Sequence, residues 1–254
     1  MKKILLILVV LALGATTASA QKVRVMSYNV RNGRGVDGVK SIERCAEIVR
    51  KAQPDVVAVQ ELDSCSTRNK FYVLGKMAEA AGGYHAYYGP TIPYRGGKYG
   101  IGILSKKPAK SVAFHRLPCR KEPRGMLLVE FDKYYLASTH LSLNEEDRVT
   151  SVGIIRDVVS KLNKPVFIAG DMNARPTSKP MMAFKEFAKV LNNDSKFTIP
   201  SNKPRACIDY ILGVNGSFKV LKDYVGYDVL YSDHLPLYVD VKIGKAKKSK
   251  NNGR

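Results

Sequence analysis

Residues 25–38 read VMSYNVRNGRGVDG, and Gly33-x-Gly35-x-x-Gly38 after an apolar strand has the spacing of a dinucleotide-binding fingerprint. That reading would make the chain a doubly wound parallel sheet with a cofactor at its first turn. The fingerprint needs a second apolar strand ending in an acid about 20 residues on, and DVVAVQE, residues 55–61, supplies one in Glu61. The first glycine, however, belongs in the turn directly after the strand, whereas Gly33 stands four residues beyond Asn29. GRGVDG is therefore read as a flexible loop. The fold is decided by what accompanies Asn29 and Glu61.

The strands beyond that loop argue against a purely parallel sheet. KVRVMSYNV reads as a strand, VKSIERCAEIVRKA as a helix with Ile42, Cys45, Ala46, Ile48 and Val49 on one side, and VVAVQ as a short buried strand. A second helix over residues 69–82 ends at Gly82-Gly83. From residue 84 the rhythm changes: YHAYYG, YGIGILS, AKSVAFHRL, GMLLVEFD and KYYLASTHL follow as strands with no helix between them. Such runs form antiparallel hairpins, so the expected sheet is mixed. A helix follows from about Asn144 to Leu162, with Ser142-Leu-Asn-Glu145 as its capping box. KPVFIAG, a short helix from Pro180, and the strands ACIDYILG, FKVLKDY and LPLYVDVKI complete the chain.

The ends of the chain carry different signals. Lys2-Lys3, the run ILLILVVLALG and Ala18-Ser19-Ala20 read as a signal peptide over residues 1–20, too short in its apolar part to span a bilayer. The expectation is export to the periplasm or the extracellular space, with no stable membrane span. Residues 21–241 are expected to form one α/β domain, and 242–254 a basic, disordered tail. Of the formal net charge of +20, two units come from Lys2 and Lys3 and six from that tail, leaving about +12 on the body. A field of that sign gathers polyanions near the surface. Four cysteines, with no CxxC pair, allow up to two disulfides in an oxidising compartment. Cys45 lies on an apolar helix face and is expected to be a buried thiol; a Cys65–Cys119 bridge is the expected pairing.

Polar residues recur where apolar strands end: Asn29 after VRVMSY, Glu61 after VVAVQ, His140 after YLAST, Asp171 and Asn173 after VFIAG. Asp209 lies inside ACIDYIL, and Asp233-His234 precede the last strand. If these ends meet on one sheet edge they form a cluster of carboxylates, amides and imidazoles. Hard cations such as magnesium take one or two carboxylates together with water and substrate phosphate, which suits Glu61 and Asn29. Asp171 could deprotonate a water for in-line attack on phosphorus, while Asn173 and the two imidazoles bond the phosphoryl oxygens.

SYNV at 27–30, QEL at 60–62, STHL at 138–141, GDMN at 170–173, IDYIL at 208–212 and SDHLP at 232–236 resemble, in order, the motifs of the endonuclease/exonuclease/phosphatase superfamily. KYGIGILSK at 98–106 and EPRGMLLVE at 122–130 resemble a secreted bacterial branch of it, chiefly in scaffold strands. The resemblance implies a four-layer α-β-β-α sandwich with two mixed β-sheets, and magnesium- or manganese-dependent hydrolysis of phosphoesters. It implies that Asn29 and Glu61 belong to the metal and phosphate site with Asp233 as a further acid near the metal. It makes Asp171 and Asn173 the water-activating and phosphate-holding pair, His140 the phosphate-stabilising histidine, and His234, oriented by Asp209, the catalytic one. Arg31, Arg34 and Arg95 are candidate contacts to substrate phosphates.

Three functions compete. A nuclease is favoured by the basic body, because phosphate contacts supply most non-specific affinity for nucleic acid, and the tyrosines around TIPYRGG either stack bases or pack a loop. A lipid or small-molecule phosphoesterase is the second reading, although no apolar hairpin for membrane contact is evident. A non-catalytic polyanion-binding module is the third, opposed by the presence of every expected catalytic residue. A serine hydrolase is excluded as a leading reading because no G-x-S-x-G occurs. The chain is expected to act as a monomer.

Overall fold

The computed structural model describes residues 21–227 and 229–245. The leader-like residues 1–20 and residues 246–254 lie outside it. Twelve strands and four helices follow in chain order: β1 Gln21–Asn29, α1 Ile42–Ala52, β2 Val56–Ser64, α2 Val73–Ala80, β3 His85–Tyr94, β4 Gly97–Ser105, β5 Ser111–Leu117 and β6 Arg124–Glu130. The second half comprises β7 Tyr135–His140, α3 Glu145–Val159, β8 Val166–Asp171, α4 Lys179–Lys185, β9 Lys189–Val190, β10 Asp209–Val214, β11 Gly216–Val225 and β12 Leu237–Lys245.

The strands form two six-stranded sheets, ordered β11-β12-β1-β2-β4-β3 and β5-β6-β7-β8-β10-β9. Each is mixed in the same way. β1 and β2 run parallel, as do β7 and β8, and the other pairings are antiparallel. Each parallel pair needs a crossover, which α1 and α3 provide. The expected four-layer sandwich is the fold observed.

Alternation along the strands explains both the layers and the site. In β1, Val23 and Val25 face the second sheet while Met26 and Tyr28 face α1 and α2. Val56 and Ala58 of β2 also lie between the sheets, and Val57 and Val59 lie under the helices. In the second sheet Leu136, Phe167, Ala169 and Ile211 point inward, whereas Ala137, Val166, Ile168, Tyr210 and Leu212 pack on α3 and α4. Counting in twos puts Asn29, His140 and Asp171 on the inner faces at the carboxyl ends of the parallel strands, with Asp209, the first residue of antiparallel β10, beside Asp171 on the same edge. The apolar stripe of α1, Ile42, Cys45, Ala46 and Val49, is wholly buried, and each large aliphatic side chain so buried contributes about 1.5–3 kcal/mol.

Several boundaries differ from the sequence reading. β12 continues to Lys245 and pairs through Lys242↔Lys22 and Lys245↔Gly216, so residues 242–245 belong to a strand rather than to a tail. The cap of α3 is Asn144, whose side chain accepts from the Asp147 amide, while Ser142 accepts from the Asn144 amide. All four cysteines are free thiols, Cys45 buried as expected, and the Cys65–Cys119 bridge is not formed. Cys65 follows β2 of the first sheet with its amide on the Phe71 carbonyl, and Cys119 lies beside the second sheet, 3.3 Å from the Ser142 hydroxyl. The tyrosines near TIPYRGG are packed: Tyr84 donates to Pro54, Tyr88 to Leu62, and Tyr94 lies against Tyr99.

Candidate active site

Asp171 is the hub. As the last residue of β8 it stands in register with His140 of β7 and Asp209 of β10. Its Oδ2 accepts from Asn29 Nδ2 at 3.2 Å and lies 3.4 Å from His140 Nε2 and 3.6 Å from His234 Nε2, while Oδ1 accepts from the Asn173 amide at 2.8 Å. The preceding residue makes this possible. A Cβ at Gly170 would run into the Thr139 carbonyl of β7, so only glycine lets the two strands approach this closely beside the carboxylate.

Glu61 reaches the same cluster by a different device. Strict alternation would turn it toward the helices, but the β2–β4 register shifts between Val59 and Leu62 and Glu61 takes a φ of 62°. This bulge carries one extra residue, so that Gln60 and Glu61 both serve the inner side. The strained backbone is what aims the carboxylate. Asn29 Nδ2 then donates to Glu61 Oε1 at 3.1 Å, and Asn29 Oδ1 accepts from the Arg31 amide. One amide thus ties Glu61 of the first sheet to Asp171 of the second.

His234 is held from the other side, its Nδ1 lying 2.9 Å from Asp209 Oδ2. Ser232 fixes that turn by donating to the Asn29 carbonyl at 2.7 Å and accepting from the His234 amide. Asp233 points away toward Arg31, at 3.4 Å. Asn173, at φ 49°, spends one amide hydrogen on the Leu141 carbonyl.

The electrostatics follow from burial and charge. Burial, aided by Asp209, raises the Asp171 carboxyl far above the ordinary carboxylate range. Burial likewise raises Glu61, and the charge of Asp233 adds to the shift. For His234 burial pulls downward, but Asp209 and Asp171 outweigh it and hold the imidazole above its usual range. His140 is pushed well down by burial, with Arg124 and His234 adding repulsion, and is neutral.

Asp171, Asp209 and His234 offer ligand atoms within 4.8 Å of one another. A protonated imidazole has no lone pair for a metal, so this trio is better suited to moving protons. Glu61 is the stronger ligand candidate: a half-buried carboxylate with one amide partner, raised by desolvation and by a second acid, is a place that a hard cation would relieve. Asn29 acts through its amide hydrogens, orienting Glu61.

The structure brings together Asn29, Glu61, His140, Asp171, Asn173, Asp209 and His234, with Asp233 and Arg31 at the rim. Arg34 lines the cavity on which Glu61 opens. Arg95 does not line it; it sits on the β3–β4 turn over the Tyr94 ring. Sequence reasoning missed Arg124 and Arg68. Arg124, first residue of β6, is buried with its Nε unpartnered among the described residues and its charge felt by Glu61, His140 and Tyr99. Its only sequence signal is an arginine opening a buried strand. Arg68 grips the buried Asp63 with two hydrogen bonds and lines the Glu61 cavity.

The family model for the endonuclease/exonuclease/phosphatase family matches residues 26–234. Among solved structures, an endonuclease/exonuclease/phosphatase from Beutenbergia cavernae is 24% identical, with a TM-score of 0.76 over 88% of this chain and 72% of that one. A second from Bacteroides vulgatus is 17% identical, with a TM-score of 0.74 over 88% of this chain and 100% of that one. The mannosyl-6-phosphatase of Bacteroides thetaiotaomicron is 21% identical, with a TM-score of 0.68 over 86% and 99%. At these identities the likeness is one of fold. No curated protein matches the chain.

Proposed function

This chain belongs to the endonuclease/exonuclease/phosphatase family, and from that premise we propose that it is a magnesium- or manganese-dependent phosphodiesterase, with nucleic acid as its favoured substrate. The observation that carries the reading is the single carboxylate, Asp171, on which Asn29, Asn173 and two histidines converge. A buried carboxylate with a raised pKa is matched to take a proton from water near neutral pH. As the water oxygen bonds to phosphorus, its proton passes to Asp171 and the ester oxygen departs on the opposite side.

His234, kept protonated by Asp209, faces the charge that builds on the phosphoryl oxygens, and the free amide hydrogen of Asn173, neutral His140 and Arg124 donate to the same oxygens. Glu61, with Asp233 nearby, would hold the divalent cation, which when bound supplies positive charge to the phosphoryl group. The described residues hold no helix long and apolar enough to cross a membrane, and the leader-like first 20 residues support export to the periplasm or beyond.

The nucleic-acid preference rests on the basic body, about +12 without the first 20 residues and residues 242–254, and on the cations around the Glu61 cavity. A small phosphoester is the second reading, favoured by the fold likeness to the mannosyl-6-phosphatase. Incubation with supercoiled plasmid and with bis(p-nitrophenyl) phosphate, with magnesium or with chelator, tests the proposal. Metal-dependent turnover of both supports the diesterase, intact plasmid removes the nuclease preference, and hydrolysis undiminished by chelator contradicts the metal.

A further inference from the structure

The Glu61 carboxylate forms one wall of a cavity of about 470 Å³ whose other walls are Arg31, Asn32, Arg34, Gly38, Lys40 and Arg68. That volume suits a small-molecule moiety rather than a lone ion. Two of the cations are already matched: Arg31 lies beside Asp233, and Arg68 is clamped on Asp63. The other two are not. Arg34 has neither an ion pair nor a side-chain hydrogen bond among the described residues, and Lys40 donates only to the Arg68 carbonyl.

The site is built rather than incidental. Arg31, Asn32 and Gly33 stand consecutively at φ 44°, 48° and 82°, a left-handed run that non-glycine residues adopt only under constraint. Asn69 braces it from the neighbouring loop by donating to the Asn32 carbonyl, and also donates to Asp63. Arg68 is fixed from above by stacking over Tyr94 at 4.7 Å. Asn32, Lys40 and Arg68 also line a second cavity of about 580 Å³, which extends away from Glu61 past Lys70, Lys76 and Phe71.

We infer that this cavity is a subsite for a second phosphate on the same substrate molecule, bound by Arg34 and Lys40 while the reacting phosphate lies at Glu61 and Asp171. The inference rests on the reading of that cluster as the reacting end. A group in the cavity lies next to whatever occupies Glu61, because Glu61 is one of its walls, so a single substrate molecule can span the two. Two unmatched cations call for about two negative charges, the charge of a terminal phosphate. The same chemistry is offered by the phosphorylated end of a nucleotide strand and by a small bisphosphorylated metabolite.

Binding is measured with the Asp171→Asn chain in magnesium, so that turnover does not intervene. The probes are thymidine 3′,5′-bisphosphate against thymidine 5′-monophosphate, and hexose 1,6-bisphosphate against hexose 6-phosphate. At least one bisphosphate should bind about tenfold or more tighter than its monophosphate, and Arg34→Ala or Lys40→Ala should each reduce that ratio about fivefold or more, with Arg34→Lys, which keeps the charge but not the planar fork, retaining only part of it. A gain confined to the nucleoside pair identifies a strand as the source, and one confined to the hexose pair a metabolite. Mono- and bisphosphates binding within about twofold of each other, or a ratio that survives both alanine substitutions, would overturn the subsite. Turnover of bis(p-nitrophenyl) phosphate by the wild-type chain is followed in parallel. If it is absent while the bisphosphate ratio holds, the diesterase reading fails and the subsite stands.

Discussion

The side-chain amide of Asn29, at the end of β1, donates to Asp171 Oδ2 at the end of β8, 3.2 Å away, and so joins the two sheets at the edge where the polar cluster gathers. Its other hydrogen goes to Glu61. Replacing Asn29 by alanine should leave buried Asp171 and half-buried Glu61 without their shared donor. Loss of about 100-fold in kcat/KM is expected, with a stability change of about 1 kcal/mol. Asn29→Asp should be worse on both counts, since a third acid would face the other two. Steady-state kinetics and urea unfolding check both outcomes.

Asp209 sets the protonation of His234. Burial lowers that imidazole, but Asp209 and Asp171 raise it above its ordinary value. Asp209→Asn should therefore move the alkaline limb of the kcat/KM profile to lower pH. The stability sign is equally definite. A histidine whose folded pKa is raised stabilises the fold fully below its unfolded pKa, near 6.5, and less as pH rises through the folded value. The loss caused by Asp209→Asn, about 3 kcal/mol for a broken buried pair, should be largest in mild acid and shrink in alkali.

For Glu61 the two states pull in opposite directions. Its folded pKa is raised, mainly by burial, so the ionised carboxylate weighs against the metal-free fold above the unfolded pKa, near 4.3. Glu61→Gln should raise the Tm in chelator at about pH 8, and the gain should fade as the pH falls toward about 4. With magnesium the order reverses. Cation at about 100 times its Kd adds about 2.7 kcal/mol to the wild type, and the variant should show little of that gain. Thermal melts across a magnesium series separate the two effects.

Gly170 limits how the site can be built. A methyl group there would meet the Thr139 carbonyl of the neighbouring strand, so Gly170→Ala has to push β7 from β8. A loss of about 3 kcal/mol or more is expected, together with activity, because His140 and Asp171 are register partners on those strands. Chemical denaturation measures the first and turnover the second.

The parts of the site legible in the sequence are those that obey period-two counting. Val23, Val25 and Asn29 share a face, as do Phe167, Ala169 and Asp171, so an apolar strand ending in a polar residue locates that residue at the inter-sheet edge. Glu61 is identified by its place at the end of VVAVQ and not by its phase, since the bulge after Val59 shifts it by one residue. Arg124 and Arg68 escape a reading of the sequence because their roles come from what the fold brings beside them: Arg124 acts on Glu61 and His140, and Arg68, paired locally with Asp63, packs on the Tyr94 and Tyr99 rings. Arg95 had the right chemistry, but its place on a hairpin turn puts it off the cavity. The end of β12 was misjudged for a related reason: its lysines read as tail, while the ladder with β1 and β11 holds them in a strand.

The most direct test of the account is hydrolysis of bis(p-nitrophenyl) phosphate in magnesium by the wild-type chain and by Asp171→Ala, with circular dichroism and Tm recorded for both. Loss of the water-activating base should lower kcat by about 1,000-fold or more with the fold retained. A folded Asp171→Ala protein that keeps activity within about tenfold of wild type would contradict it, because a general base contributes about 100-fold or more.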